Sequence, residues 1–398
     1  MLLLPNHPSL SIMFDPSILS SFASLETPFY YYDISLLQKT IDLYTTCLRR
    51  YGYHAHYALK ANANDHILEQ MRLSELGADC VSGNEVALAL QSGFDHQKIV
   101  YAGVGKSNKE IVTALKGDIF SFNVESIPEL EVINDLAAGM GKTASLSLRI
   151  NPDIDAHTHK YISTGRAQDK FGISPWMFEQ VWSVLERCKN VRLIGLHFHI
   201  GSQITDINVF TTLCERANEL QRWFLEKGAE LPVINLGGGL GVDYLAPVEH
   251  PIPDFNAYFN IVHKHLKVLP NQEVHFEPGR ALVAQSGFLI SRVLYIKKGR
   301  GIKFMILDAG MNDLIRPALY GAHHHIVNLS SIGPMRRYDV VGPVCESSDR
   351  FGKSILLPDS KRGDMMALCT AGAYGQVMSF RYNQRDLAKA YYSDTLVK

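Results

Sequence analysis

His54-Ala55-His56-Tyr57-Ala58-Leu59-Lys60, running on into Ala61-Asn62-Ala63-Asn64, is the stretch whose reading decides the fold. Apolar residues alternate through it with the period of a strand, and the run ends on a lysine. An ammonium at the C-terminal mouth of a buried strand is an expensive placement unless something uses it. Its pKa can fall, and the free amine can then form a Schiff base. The competing reading is a lysine that snorkels past a strand end to solvent.

Outward from this run, the pattern repeats. Upstream, residues 35–48 read as a helix with Asp33 or Ser35 as its N-cap. Downstream, strands are expected at 77–82, 98–103, 119–124, 145–150, 193–200, 233–238 and 274–277, eight in all with 54–60. Amphipathic stretches separate them, among them Glu85–Gln91, Asn108–Leu115, Ile127–Leu136, Trp176–Arg187, Phe210–Lys227 and Phe255–Val268. Strands punctuated by helices argue a parallel sheet, and eight such units over about 250 residues are the size of a (β/α)8 barrel. An open doubly wound sheet is the alternative, but the dinucleotide fingerprint is absent after the first strand. The barrel is assigned to residues 31–280. From 281 to 398 the chain turns β-rich, at 283–295, 302–308, 325–328, 339–344, 354–357 and 366–370. This is read as a second, mostly β domain, joined by N-terminal residues 1–30, which read as loop on account of Pro5, Pro8, Pro16 and Pro28.

Bulk properties narrow the function. Among 398 residues, 39 basic side chains face 40 acidic ones, so the net charge of -1 gives no general attraction for nucleic acid or an anionic membrane. The six cysteines are scattered with no CxxC, which argues a reducing compartment and no structural zinc site. Met1-Leu2-Leu3-Leu4-Pro5 is too short for a signal-peptide core, and no apolar run is long enough to span a membrane. A cytoplasmic protein is expected.

In a barrel, chemistry sits at the C-terminal strand ends, and unusual residues collect there. Strand one ends in Lys60 and strand two holds Asp79. His197-Phe198-His199-Ile200-Gly201-Ser202-Gln203 follows strand six, Gly237-Gly238-Gly239-Leu240-Gly241 follows strand seven, and Phe276-Glu277-Pro278-Gly279-Arg280 closes strand eight. The glycines let backbone N–H groups cradle a phosphate, although a tight turn would use them too. His197 and His199 share a strand face and are either core histidines or ligand contacts. A metal there would need a third ligand, from Glu277 or Asp79, and none is expected. His323-His324-His325 is read as a solvated loop. Glu277 must be paired, either with Arg280 or Arg149, or with a protonated ring nitrogen of a cofactor that acts as an electron sink. Lysine, phosphate cradle, ring-facing histidine and pyridine-facing carboxylate together describe pyridoxal phosphate. In the second domain, Arg316, Tyr320, Glu346 and Tyr374 lie in polar and aromatic clusters that suit a doubly charged amino-acid substrate.

With these pieces in hand, the chain resembles the diaminopimelate decarboxylases, within the barrel-type pyridoxal phosphate decarboxylases that include ornithine and arginine decarboxylases. The resemblance runs from about residue 28 to 385. It is carried by YALKAN at 57–62, GADCVSGNE at 77–85, KFGI at 170–173, GLHFHIGSQ at 195–203, NLGGGLG at 235–241, EPGR at 277–280, DAGMNDLIRPALY at 308–320, GPVCESSD at 342–349 and AGAYG at 371–375. It implies pyridoxal 5'-phosphate held by a Schiff base to Lys60, stacked on His199, with Glu277 on the ring nitrogen and Asp79 near the cofactor and lysine. It further implies phosphate contacts from Ser202, Gly239, Gly279 and Tyr374. Arg280, Arg316 and Tyr320 would hold the distal end of the substrate, Tyr374 would also line its site, and Glu346 would bind the distal ammonium. The family's homodimer would bring Cys345, a proton donor, and Glu346 to the partner subunit's site. The implied reaction is decarboxylation of meso-2,6-diaminopimelate to L-lysine, the last step of lysine biosynthesis. The sequence departs from the family after Arg385, where Asp386-Leu387-Ala388-Lys389 replaces an Arg-Pro and a further strand. Rival readings are a decarboxylase for ornithine, arginine or carboxynorspermidine, an amino-acid racemase, and a non-catalytic binder of the same cofactor.

Overall fold

Eight parallel strands close on themselves in the order in which the chain makes them. The computed structural model describes residues 13–156, 164–166 and 168–396. After β1 (Phe29–Tyr32), which belongs to the other unit, come β2 (His54–Ala58), β3 (Gly77–Cys80), β4 (Ile99–Tyr101), β5 (Ser121–Val124), β6 (Ala144–Arg149), β7 (Val191–His197), β8 (Val233–Asn235) and β9 (Glu273–Phe276). β9 pairs back onto β2 through His54↔His275 and Ala55↔Phe276, which closes a (β/α)8 barrel. The barrel unit comprises Ile41–Gly241 and Asp254–Gly279.

Local sequence explains how strand gives way to helix. Ser82, Ser107 and Ser126 each accept a hydrogen bond from the backbone of a glutamate three residues on, at the N-termini of the helices Gly83–Gln91, Asn108–Gly117 and Ile127–Gly139. At Ser107 the Glu110 side chain bonds back to complete a capping box. The strands are shorter than their apolar runs because their ends bend away into loops. β2 stops at Ala58, and Lys60 sits in a short turn of 3-10 helix, Leu59–Ala61. β8 stops at Asn235 because Gly237 takes a positive φ of 69°.

The other unit holds the described chain up to Thr40, Val242–Pro253 and the chain from Arg280 onward. Its sheet contains β10 (Gly287–Lys298), β11 (Lys303–Leu307), β12 (Ile326–Asn328), β13 (Met335–Val341), β14 (Arg350–Pro358) and β15 (Met365–Leu368), in the order β12-β15-β10-β11-β13-β14. β1 lies antiparallel on β10, and the last strand, β16 (Lys389–Tyr392), runs parallel to β1. The atypical tail therefore still ends in a paired strand, with Tyr391 and Tyr392 against the rings of Phe29 and Tyr32.

The loop reading of residues 1–30 is corrected over the described part. Pro16–Phe22 is a helix whose N-cap, Asp15, accepts from the Ser17 backbone. Pro16 stands in its first turn, where the missing N–H costs nothing. Pro5 and Pro8 lie outside the described residues. The helix drives Phe22 into an aromatic cluster with Phe14, Phe29 and Tyr31, all buried. Phe22→Ala is expected to destabilise this unit by about 3–5 kcal/mol. A lower urea midpoint for loss of the near-ultraviolet aromatic circular dichroism would show it, and an unchanged midpoint would refute the packing assigned to Phe22.

Candidate active site

Because all eight barrel strands are parallel, their C-terminal ends share one mouth, and that is where the ionisable residues meet. Lys60 Nζ lies 2.9 Å from Asp79 Oδ2, the lysine about a third exposed and the aspartate fully buried. Asp79 Oδ1 is buried with no hydrogen-bond partner among the described residues. Burial pushes the Asp79 pKa up, the charge of Glu277 adds to this, and Lys60 opposes it only in part, leaving a value of about 7.

Glu277 follows β9 directly and is buried. Its carboxylate accepts from Asn123 Nδ2 at 3.0 Å, Asn235 Nδ2 at 2.8 Å and His197 Nε2 at 2.9 Å, donors from β5, β8 and β7. Burial alone would raise its pKa, but the charge and hydrogen bond of His197, followed by Lys60, hold it well below the ordinary carboxylate range. The barrel thus holds one carboxylate that stays ionised and one that keeps its proton up to about pH 7. The partners considered for Glu277 from the sequence, Arg149 and Arg280, are corrected. Arg149 Nη1 instead donates to Glu125 at 2.9 Å.

His199 is held neutral by burial and by the nearby charges of Arg149 and Lys60. The Thr164 hydroxyl donates to the His199 carbonyl at 2.9 Å, so at 3.0 Å it accepts from His199 Nδ1–H, and Nε2 carries the lone pair. Beside it the loops after β7, β8 and β9 pack too closely for side chains. A Cβ on Gly237 would lie 2.3 Å from the Phe198 carbonyl oxygen, one on Gly238 2.2 Å from that of Glu277, and one on Gly239 2.7 Å from that of Gly201. Ser202 is half-buried on the first of these loops, and Gly279 is buried on the last.

In the other unit, Arg280 and Arg316 are both buried and share Tyr244. Arg280 Nη1 donates to Tyr244 Oη at 2.6 Å and its guanidinium lies 4.8 Å from the Tyr374 ring centroid; Arg316 lies 4.8 Å from the Tyr244 ring. Arg316 Nη1 donates to His324 Nε2 at 2.8 Å, its Nε has no partner, and burial lowers its pKa. His324 is therefore no solvated loop residue. It is buried, its Nδ1 donates to the Cys369 carbonyl, and burial together with Arg316 drives its pKa down to about 3. Tyr320 ends the helix Arg316–Tyr320, half-buried. Cys345 and Glu346 stand exposed on the loop 342–349, where Glu346 accepts from Tyr382 and Ser348 and pairs with neither arginine.

Residues 35–284 match the family described as pyridoxal-dependent decarboxylase, pyridoxal binding domain. A diaminopimelate decarboxylase of Bacteroides thetaiotaomicron is 54% identical over 95% of this chain and 98% of its own. The chain belongs to the diaminopimelate decarboxylase family. A second relative in it, from Haemophilus influenzae, is 41% identical over 90% of this chain and 86% of its own. The crystal structure of the Helicobacter pylori diaminopimelate decarboxylase complexed with L-lysine superposes with a TM-score of 0.87 at 39% identity, over 94% of this chain and 93% of that one.

Several residues of this family member's site escaped sequence reasoning. Asn123 and Asn235 lie in runs read as apolar strands, and only their inward alternation could have flagged them. Tyr244 lies in a segment with no periodic signal that joins the β-rich unit although the barrel surrounds it in sequence. Asp79 yields a prediction on cofactor-stripped enzyme. Its raised pKa means that the folded state prefers the proton, so this contribution to stability is complete below about pH 4 and is lost as pH rises through about 7. Relative to Asp79→Asn, the unsubstituted chain should lose stability of the order of 2–4 kcal/mol between pH 4 and pH 8. Parallel urea midpoints for the two proteins across that range would contradict it.

Proposed function

We propose that this chain decarboxylates meso-2,6-diaminopimelate to L-lysine and carbon dioxide, using pyridoxal 5'-phosphate. The observation that carries the reading is the 54% identity to a diaminopimelate decarboxylase over nearly the full length of both chains. The barrel residues fit the cofactor on their own chemistry. The strand ends of one barrel mouth hold a primary amine, an ionised carboxylate and a neutral imidazole, and glycine loops leave backbone N–H groups with no side chains in the way. When bound, the cofactor's protonated ring draws off the electron pair left as the carboxylate departs.

The residues of the chain do the rest. Lys60 binds the cofactor through its amine, and Asp79 beside it takes and returns a proton near neutrality. Glu277 keeps the ring nitrogen protonated. A carboxylate offers roughly four lone-pair positions, and Asn123, Asn235 and His197 use three. His199 packs against the ring, and Ser202, Gly239, Gly279 and Tyr374 bind the phosphate. Arg280 and Arg316, with Tyr320 and Tyr374, bind the distal carboxylate. Arg316 suits this because its partners Tyr244 and His324 are neutral, so its buried charge awaits an anion. Exposed Cys345 and Glu346 serve the partner subunit's site in a homodimer, Cys345 protonating the product carbon and Glu346 binding the distal ammonium. The setting is the cytoplasm, in keeping with six free cysteines.

Steady-state assays on meso-diaminopimelate and L-ornithine test this reading. The expected kcat/KM ratio is roughly a thousandfold or more, because ornithine leaves the arginines without a carboxylate. Arg316→Lys should raise KM for diaminopimelate and shrink that ratio, and Lys60→Ala should lose both the visible absorbance of the bound cofactor and carbon dioxide release. Equal turnover of the two substrates would assign a different decarboxylase, and racemisation without carbon dioxide release would assign a racemase.

A further inference from the structure

At the N-terminal end of the barrel, away from the Lys60 mouth, two histidines and a glutamate meet where the first barrel strand closes on the last. His54 opens β2, Glu273 opens β9, and His275 is the register partner of His54. Their ligand atoms all lie within 4.8 Å of one another. His275 is buried, whereas His54 and Glu273 are exposed.

The hydrogen bonds behind this cluster fix how its buried ring is turned. His56 Nδ1 lies 2.9 Å from the Lys98 carbonyl oxygen, which can only accept, so Nδ1 carries a hydrogen. His56 is buried, so its ring is held in place by these contacts. Its Nε2 lies 2.8 Å from His275 Nδ1 and hydrogen-bonds to it. His275 Nε2, the ring nitrogen turned away from His56, points at Glu273 Oε2 3.0 Å away. His275 thus turns this nitrogen toward the carboxylate of the cluster, with His54 alongside.

The relay is a built feature. Phe120 stacks on His275 at 5.5 Å with the rings 4° from parallel. Gly77 makes room for the His56 contact, since a Cβ there would fall 2.5 Å from His56 Nδ1 and 2.2 Å from the Lys98 oxygen. A ligating histidine whose other nitrogen is fixed by a hydrogen bond is the usual support of a metal site.

We propose that His54, Glu273 and His275 bind a zinc ion that clasps β2 to β9. Two imidazoles and a carboxylate suit zinc, with water completing a tetrahedral set on the exposed side. None of the three residues belongs to the cofactor site, so the ion steadies barrel closure and takes no part in decarboxylation. The sequence reading expected no metal because it looked for ligands only around His197, His199 and His323–His325, and read His54 as part of a strand.

The test uses the holoenzyme, treated with chelator, then dialysed against buffered zinc and assayed for bound metal by mass spectrometry. One zinc per chain is expected, with affinity weakened roughly tenfold or more in His54→Ala and in Glu273→Gln. Glu273→Gln keeps the fold testable, because its amide has the same shape and can hydrogen-bond to His275 Nε2 in either tautomer while losing the ligand charge. It should retain decarboxylase activity and a melting temperature that zinc no longer raises. Zinc bound equally by the unsubstituted enzyme and both variants would overturn the proposal, as would an unsubstituted enzyme that retains none.

Discussion

A carboxylate buried in a barrel is the constraint on which the rest of the mouth depends. Glu277 can be ionised there only because Asn123, His197 and Asn235 converge on it from three strands. Those hydrogen bonds hold β5, β7, β8 and β9 at one height. The same strand end is pinned through its backbone, since Glu277 N–H donates to the Gly237 carbonyl and Gly237 N–H to Asn235 Oδ1. Of the glycines after β8, Gly238 is needed because it lies directly on the backbone of Glu277, and Gly237 and Gly239 because they lie on the loop after β7. Charge placement follows: once Glu277 is negative, ionising buried Asp79 nearby becomes costly, and Asp79 holds its proton although Lys60 is beside it.

The β-rich unit solves the opposite problem. Arg280 and Arg316 are taken out of water around one tyrosine, and Arg316 rests on an imidazole locked into its accepting tautomer by the Cys369 carbonyl. A buried guanidinium that rests on an imidazole, as Arg316 does, is a poor stability device. The core of this unit is built largely of aromatic residues on β1 and the helix before it, with β16 laid alongside β1.

Legibility in the sequence followed the range of the interaction. Strands and helices of the barrel were legible because their apolar periods are local, and the lysine, the glycine run and the Glu-Pro-Gly-Arg turn stood out because each is costly in an ordinary strand end. Asn123, Asn235, Tyr244 and His324 were not, because a polar residue in an apolar run has no visible partner until the chain returns more than a hundred, some forty or a handful of residues away. Pro16 misled for a related reason: a proline marks a break or a first turn, and only the Asp15 cap and the buried face of Phe22 decide which.

By itself, then, the sequence determined the alternation that builds a (β/α)8 barrel, the β-rich remainder, and the residue types that a pyridoxal phosphate decarboxylase needs. Tertiary structure alone decided which acid stays ionised, which nitrogen of His199 keeps its lone pair, and that His54, Glu273 and His275 share one corner. Protonation and tautomer depend on burial and on partners brought together by barrel closure, and no local pattern encodes those.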